Sequence, residues 1–178
     1  MKYNIGYITN YIIEYDSGVP MSVILGLSLI VCAIIVTLYH YSTDGFIFLR
    51  KTSWCILGGY MSFIFCATVL FRDQAEEMHY SWQPFLTYAC LYNRRIAEII
   101  LNVLMFIPIG FLLTAAMKRE RFHFVLCTGC MFSLTIETAQ LLCRRGVCNI
   151  DDIIHNVLGC VIGYICFIIC YRMVRRRV

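Results

Sequence analysis

Five mostly apolar runs, at residues 19–39, 52–71, 96–117, 122–143 and 153–171, divide the chain. Each has close to the 20 or so residues that a helix rising about 1.5 Å per residue needs to cross a bilayer. The charged side chains crowd into the short stretches between the runs, as they do where loops cut membrane spans apart. The pattern predicts an all-α fold, a polytopic transmembrane helical bundle of about five spanning helices. Residues 1–18 carry Lys2, Glu14 and Asp16 among Tyr and Ile, and lack the basic start, apolar run and small-residue cleavage site of a signal peptide. They read as an interfacial segment and not as a sixth span. No internal repeat, low-complexity tract or Gly/Ser linker breaks residues 19–178, which read as a single transmembrane domain.

Composition agrees with the pattern. The 178 residues are 60% hydrophobic and 15% charged, with a mean hydropathy of +0.72, a balance that a water-soluble domain of this size does not carry. The net charge of +4 raises nucleic acid as a partner. The basic residues, however, stand at the ends of apolar runs and form no solvated face interleaved with aromatics, so the expected partner is the lipid bilayer and no nucleic acid.

Charge also sets an expected orientation. Arg50, Lys51, Lys118, Arg119, Arg121, Arg172, Arg175, Arg176 and Arg177 fall on one side of a five-span chain; Lys2, Arg72, Arg94, Arg95, Arg144 and Arg145 fall on the other. The positive-inside rule then places the N-terminus outside and the C-terminus in the cytoplasm. The basic tail from Arg172 suits the anionic lipid of a cytoplasmic leaflet. The longest loop, residues 72–95, faces outward, with Tyr80, Trp82, Tyr88 and Tyr92 suited to the membrane interface and Pro84 fixing a turn.

Candidate chemistry lies where the apolar pattern fails. A charged side chain in hydrocarbon costs at least about 2.5 kcal/mol on insertion scales, so each one calls for a functional reading. Glu98 and Asn102 open the third span four residues apart, on one helical face. Glu137 and Gln140 close the fourth, three apart. Asp151, Asp152, His155 and Asn156 open the fifth, with Asp152, His155 and Asn156 on a shared stripe. The start of span three, the end of span four and the start of span five lie at one membrane face in any five-span topology. Glu137, six residues before Cys143, lies roughly 9 Å below that surface. These groups describe a shallow polar pocket opening outward.

Arg72 and Arg144 each abut the membrane end of a span and can reach inward to Glu98, Glu137 or Asp152. The planar fork of Arg suits phosphate or carboxylate. Arg94 and Arg95 fit lipid headgroup anchoring better. The plainer reading of the buried polar groups is a set of ties between helices. That suits Gln140 and Asn102 individually and suits several converging carboxylates less well. Glu137, Asp151, Asp152 and His155 offer hard oxygen donors and one imidazole, but His155 has no partner at HExxH spacing, and no metal or other cofactor is expected.

Other features read structurally. Pro108 and Gly110 interrupt the third span and free the carbonyl of Leu104. Gly58, Gly59 and the Gly159/Gly163 pair look like close helix contacts. Asn149 or Asp151 can cap the fifth helix. Most of the 11 cysteines sit in apolar runs as small hydrophobes; Cys127 and Cys130 form an isolated CxxC, and Cys143 and Cys148 read as two free thiols flanking a loop.

The stretch from Asn102 through Phe106, Pro108, Gly110 and Phe111, then Ser133 to Glu137 and Gln140, then Arg144, then Asp151 and Asp152 with Asn156 and Gly159, resembles the VanZ-like family of bacterial membrane proteins. Thr68 to Arg72 and Pro84-Phe85 extend the likeness, which covers residues 60–170 or so. Asn149 departs from it, standing where a further Asp is expected. The family takes its name from a teicoplanin-resistance accessory protein. The resemblance implies a bacterial cytoplasmic membrane, a link to glycopeptide or lipopeptide tolerance, and polar positions at Arg72, Asn102, Glu137, Gln140, Arg144, Asp151, Asp152 and Asn156. Glu98 and His155 rest on the residue reading alone.

The leading expectation is therefore a membrane factor whose outward pocket binds an anionic envelope component, such as a lipid-linked cell-wall precursor or an anionic lipid. One alternative is an enzyme acting on a lipid-linked phosphate, with Glu137 or Asp152 as general base; no nucleophile motif accompanies it. A small-solute transporter using the interrupted third helix is the third reading, and at this length it calls for an oligomer.

Overall fold

The computed structural model describes residues 46–70, 79–81, 93–117, 121–145 and 147–175. The segment 1–18 and the expected span at 19–39 lie outside them. Four long apolar helices are present: α1 (Phe46–Phe65), continued by a π-helical turn (Cys66–Leu70), α2 (Asn93–Ala116), α3 (Phe122–Leu142) and α4 (Ile150–Arg175). All four are long and apolar enough to cross a membrane. They coincide with four of the five expected spans. In hydrocarbon no water is present to satisfy backbone amides, so each apolar run closes its hydrogen bonds within itself. Hydroxyls within the helices do the same: Thr68 donates to Ile64 O at 2.8 Å and Thr114 to Gly110 O at 2.7 Å.

α2 is the central element. Sixty-one per cent of its apolar window is buried in the bundle, against 33% for each of the other three. Leu101, Phe106, Ile109, Leu112 and Leu113 form the heart of a core completed by Ile64 and Val69 from α1 and its π turn, Val125 and Ile136 from α3, and Cys160 from α4. Pro108 lies inside α2, which continues past it as one helix. Leu104 is the carbonyl that a proline at 108 should release. The bond the structure shows is to its neighbour, where the buried Tyr60 hydroxyl of α1 donates to Met105 O at 3.0 Å.

Glycine sets how the helices meet. A Cβ on Gly159 would strike Val103 O and stand 2.9 Å from Phe106 Cβ; one on Gly163 would strike Ile107 O and stand 2.8 Å from Phe111 N. With the edge-to-face pair Phe111–Phe167 (centroids 5.3 Å apart), these contacts link 103 to 159, 107 to 163 and 111 to 167. The contacts climb together along both helices, so α2 and α4 run in the same direction at backbone contact. Gly110 adds to the seam, its absent Cβ lying against the Cys160 backbone. Gly58 and Gly59 are exposed among the described residues, none of which lies within 4 Å of a Cβ there.

α3 runs opposite to α4, because its contacts descend along one helix as they climb the other: Gly129 with Cys160, Ser133 with Asn156, Glu137 with Asn149. The end of α1, the start of α2, the end of α3 and the start of α4 therefore share one end of the bundle. At that end β1 (His79–Ser81), from the long loop after α1, pairs in parallel with β2 (Val147–Asn149), from the α3–α4 loop. His79, Tyr80 and Ser81 align with Val147, Cys148 and Asn149. Strands of three residues give no alternation to read, and the sequence did not announce them.

Candidate functional site at the polar end of the bundle

α3 ends in a Schellman motif that fixes the two arginines after it. Arg144 N–H donates to Leu141 O at 3.2 Å and Arg145 N–H to Gln140 O at 2.8 Å, with Arg144 in the left-handed region at φ 55°. Glycine is the usual residue there, since a Cβ makes that conformation unfavourable by roughly 1–2 kcal/mol. The reversal sends the neighbours different ways. The Arg144 side chain is exposed, while Arg145 is half-buried and its Nη1 donates to Leu70 O at the end of the π turn. Arg144, expected to reach inward, is exposed, and it is its neighbour Arg145 that ties the α3–α4 loop to the end of α1.

Beneath the arginines the polar groups are buried. Glu137 is 3% exposed and its Oε2 accepts the Asn149 N–H at 3.0 Å; Gln140 is 5% exposed and its Nε2 donates to Thr68 O at 3.1 Å. Asn149 Oδ1 accepts the Asp151 N–H at 3.1 Å, the geometry of a helix N-cap, so Asn149 is the cap and Asp151 is not. Asp151 is instead almost fully buried, in the first turn, where the positive end of the helix dipole favours a carboxylate. His155 and Asn156 are buried beside it on the helix, and Asn156 Nδ2 donates to Ser133 Oγ at 2.8 Å.

Two seams emerge on α4. Toward α3 stand Asn149 and Asn156, facing Glu137 and Ser133. Toward α2 runs the i, i+4 stripe Asp151, His155, Gly159, Gly163. One turn down from the Gly159–Phe106 contact, His155 comes level with Asn102; another turn brings Asp151 level with Glu98. Glu98, Asn102 and Asp152 are half-buried at the rim. The described groups thus form a mostly closed cluster with a partly exposed edge, where the sequence suggested a shallow open pocket. Arg72 lies outside the described residues.

Several members were missed by sequence reading. Ser133 had a signal, one turn from Glu137 on the same face. Cys148 had none. It is buried in β2, and burial first, then the charges of Glu137 and Asp152, pushes its thiol above the ordinary value. Cys143 and Cys148 are both free, as are Cys127 and Cys130, which are exposed on α3. Among the described residues no three His, Cys, Asp or Glu side chains are grouped to hold a metal ion.

A family model described as VanZ/LLP1 matches residues 25–171, which takes in all four helices down to Tyr171. The chain belongs to the VanZ/LLP1 family. No curated protein and no solved structure matches it. The match runs through both seams of the polar end and the glycine contacts beneath them, so the cluster lies wholly within the VanZ/LLP1 region.

Proposed function

We propose that this VanZ/LLP1 protein is a resistance-associated factor of the bacterial cytoplasmic membrane that lowers the access of teicoplanin-type glycopeptides or lipopeptides. Its polar end faces outward and binds an anionic, lipid-linked envelope component. The excess of Lys and Arg in the opposite set of loops supports that orientation. One observation carries the reading: exposed Arg144 is held in a left-handed conformation directly above buried Glu137 and Gln140. Non-glycine residues persist in such conformations where the surroundings over-determine them, and they cluster at ligand sites. A guanidinium displayed there can take phosphate in bidentate fashion. Glu137 fixes the α3–α4 connection through Asn149, and Arg72 and Asp152 complete the proposed binding set.

The test is teicoplanin susceptibility of a sensitive host expressing wild type, Arg144→Ala and Glu137→Gln at matched membrane levels. The reading expects tolerance from wild type and its loss in Arg144→Ala. Full tolerance in both variants would sink it.

A further inference from the structure

We infer that the outer side of α1 is the docking face of the expected first span, residues 19–39, which packs antiparallel to α1 at close backbone contact. Ser53, Leu57, Tyr60 and Ile64 are the side of α1 turned to the bundle, and all four are buried. The exposed residues among those described on α1 are Trp54, Cys55, Gly58, Gly59 and Ser62. Cys55, Gly59 and Ser62 stand four and three apart and form one stripe, with Gly58 at its flank. The Ser62 hydroxyl donates to Gly58 O at 2.9 Å, so its donor is used within the helix. α4 shows a different exposed stripe, in which Leu158, Ile165, Ile169 and Met173 are all large and apolar, as suits contact with lipid tails. A stripe of small side chains suits another helix instead. It lets two backbones approach, and close packing of that kind drives helix association in a bilayer, where the hydrophobic effect does not.

The chain itself supplies the occupant. Only residues 40–45 separate the run ending at Tyr39 from α1, and a connection this short joins helices that pack as antiparallel neighbours. As a helix, the run carries Ser22, Gly26, Ala33 and Thr37 on one face, spaced four, seven and four apart. The two small stripes match in level. Gly26 lies 13 residues before Tyr39, and Gly59 lies 13 residues after Phe46. Each glycine is therefore about 20 Å from the connection, one opposite the other. The family match begins at residue 25, which puts Gly26 in the same VanZ/LLP1 region as α1. Contact at Gly26 and Gly59 would repeat the arrangement of α2 and α4, where Gly159 and Gly163 face backbone. Because α1 finishes at the polar end of the bundle, an antiparallel neighbour starts there. Residues 1–18 then emerge at the end where Arg144 is exposed.

The experiment uses the full chain in phospholipid vesicles with Cys55 as its one native cysteine, the others being replaced by alanine. A second thiol is introduced by Ala33→Cys, on the docking stripe and within about one turn of the level of Cys55, or by Ile35→Cys, on the opposite side of the same run. A short dimaleimide is added, and linked peptides are identified by mass spectrometry. The expected result is intrachain linkage at least tenfold faster for Ala33→Cys than for Ile35→Cys, and lost when Gly59→Leu is added. Equal rates from the two positions overturn the inference, as does a rate that Gly59→Leu leaves unchanged. A dimer crosslinked through Cys55 in place of the intrachain product overturns it too and gives the face to a second copy; no product of either kind gives it to lipid. A second measurement in the native-cysteine chain guards against misfolding of the alanine background. Gly26→Leu and Gly59→Leu should each lower the unfolding midpoint in mixed micelles. The double variant should lose less than the sum, because the first substitution has already parted the helices. Additive losses, or no loss from either, overturn the inference.

Discussion

Gly163→Ala is the sharpest test of how the bundle is held. The added methyl would strike Ile107 O and lie 2.8 Å from Phe111 N, where ordinary van der Waals contact begins at 3.4 Å. Both obstacles are backbone of α2, so neither can swing aside as a side chain would. α2 and α4 must separate by more than about half an ångström. A gap of that size forfeits roughly a quarter or more of each dispersion contact along the seam, and overpacked sites of this kind lose about 1–3 kcal/mol. The better helix propensity of Ala returns about 0.5–1 kcal/mol. A net loss of about 1 kcal/mol is expected, or roughly a fivefold shift in the unfolding equilibrium. The assay is reversible unfolding in mixed dodecyl maltoside and SDS micelles, followed by far-UV circular dichroism. Gly58→Ala is the control, because nothing among the described residues lies within 4 Å of its Cβ; it should be neutral or slightly stabilising. Gly159→Ala opens the same seam through Val103 O, so the Gly159→Ala/Gly163→Ala double variant should lose less than the sum of the singles. A Gly163→Ala loss no larger than that of Gly58→Ala would refute backbone contact between α2 and α4.

Other expectations follow from single contacts. Arg144→Gly relieves the left-handed strain and should raise stability by about 1 kcal/mol in the same assay, while abolishing any teicoplanin tolerance the wild type confers; unchanged stability would mean that position 144 is not strained. Tyr60→Phe removes the bond to Met105 O without changing shape and should lower stability by about 1 kcal/mol; no loss would place the hydroxyl elsewhere. Burial, Glu137 and Asp152 raise the Cys148 thiol above its ordinary value of 9.0. Between that value and the raised one, the folded state holds a proton that the unfolded state releases, so stability falls as pH climbs above about 9. Cys148→Ala should flatten that alkaline decline in unfolding midpoint, and an unaltered decline would remove the thiol as its cause.

The apolar pattern located four helices closely because length and uninterrupted hydrophobicity are enough to specify a span. It could not rank the glycines. Gly58/Gly59 and Gly159/Gly163 both read as helix contacts, and among the described residues only the second pair meets another backbone, since contact depends on which face a helix turns toward its neighbour. The candidate site shows the same divide. Glu137, Gln140, Asp151, His155 and Asn156 stand out as polar exceptions and all are buried at one end. Arg144 and Arg145 are indistinguishable by type, and the left-handed turn between them decides that one is exposed and the other reaches Leu70. Ser133 passes for an ordinary small residue of a span until Asn156 is set against it.

The glycine seam and the polar end are parts of one construction. Asp151, His155, Gly159 and Gly163 occupy a single stripe of α4, so the spacing fixed by the two glycines against α2 also sets how near Asp151 and His155 come to Glu98 and Asn102. A wider seam would admit water among these groups and weaken their mutual interactions, because their strength depends on the low dielectric of a closed interior. The α3 seam is built differently, from polar bonds at Ser133 and Glu137 with Gly129 against Cys160. α4 is therefore clamped sterically on one side and by hydrogen bonds on the other. The steric side is the stiffer, because backbone cannot yield there.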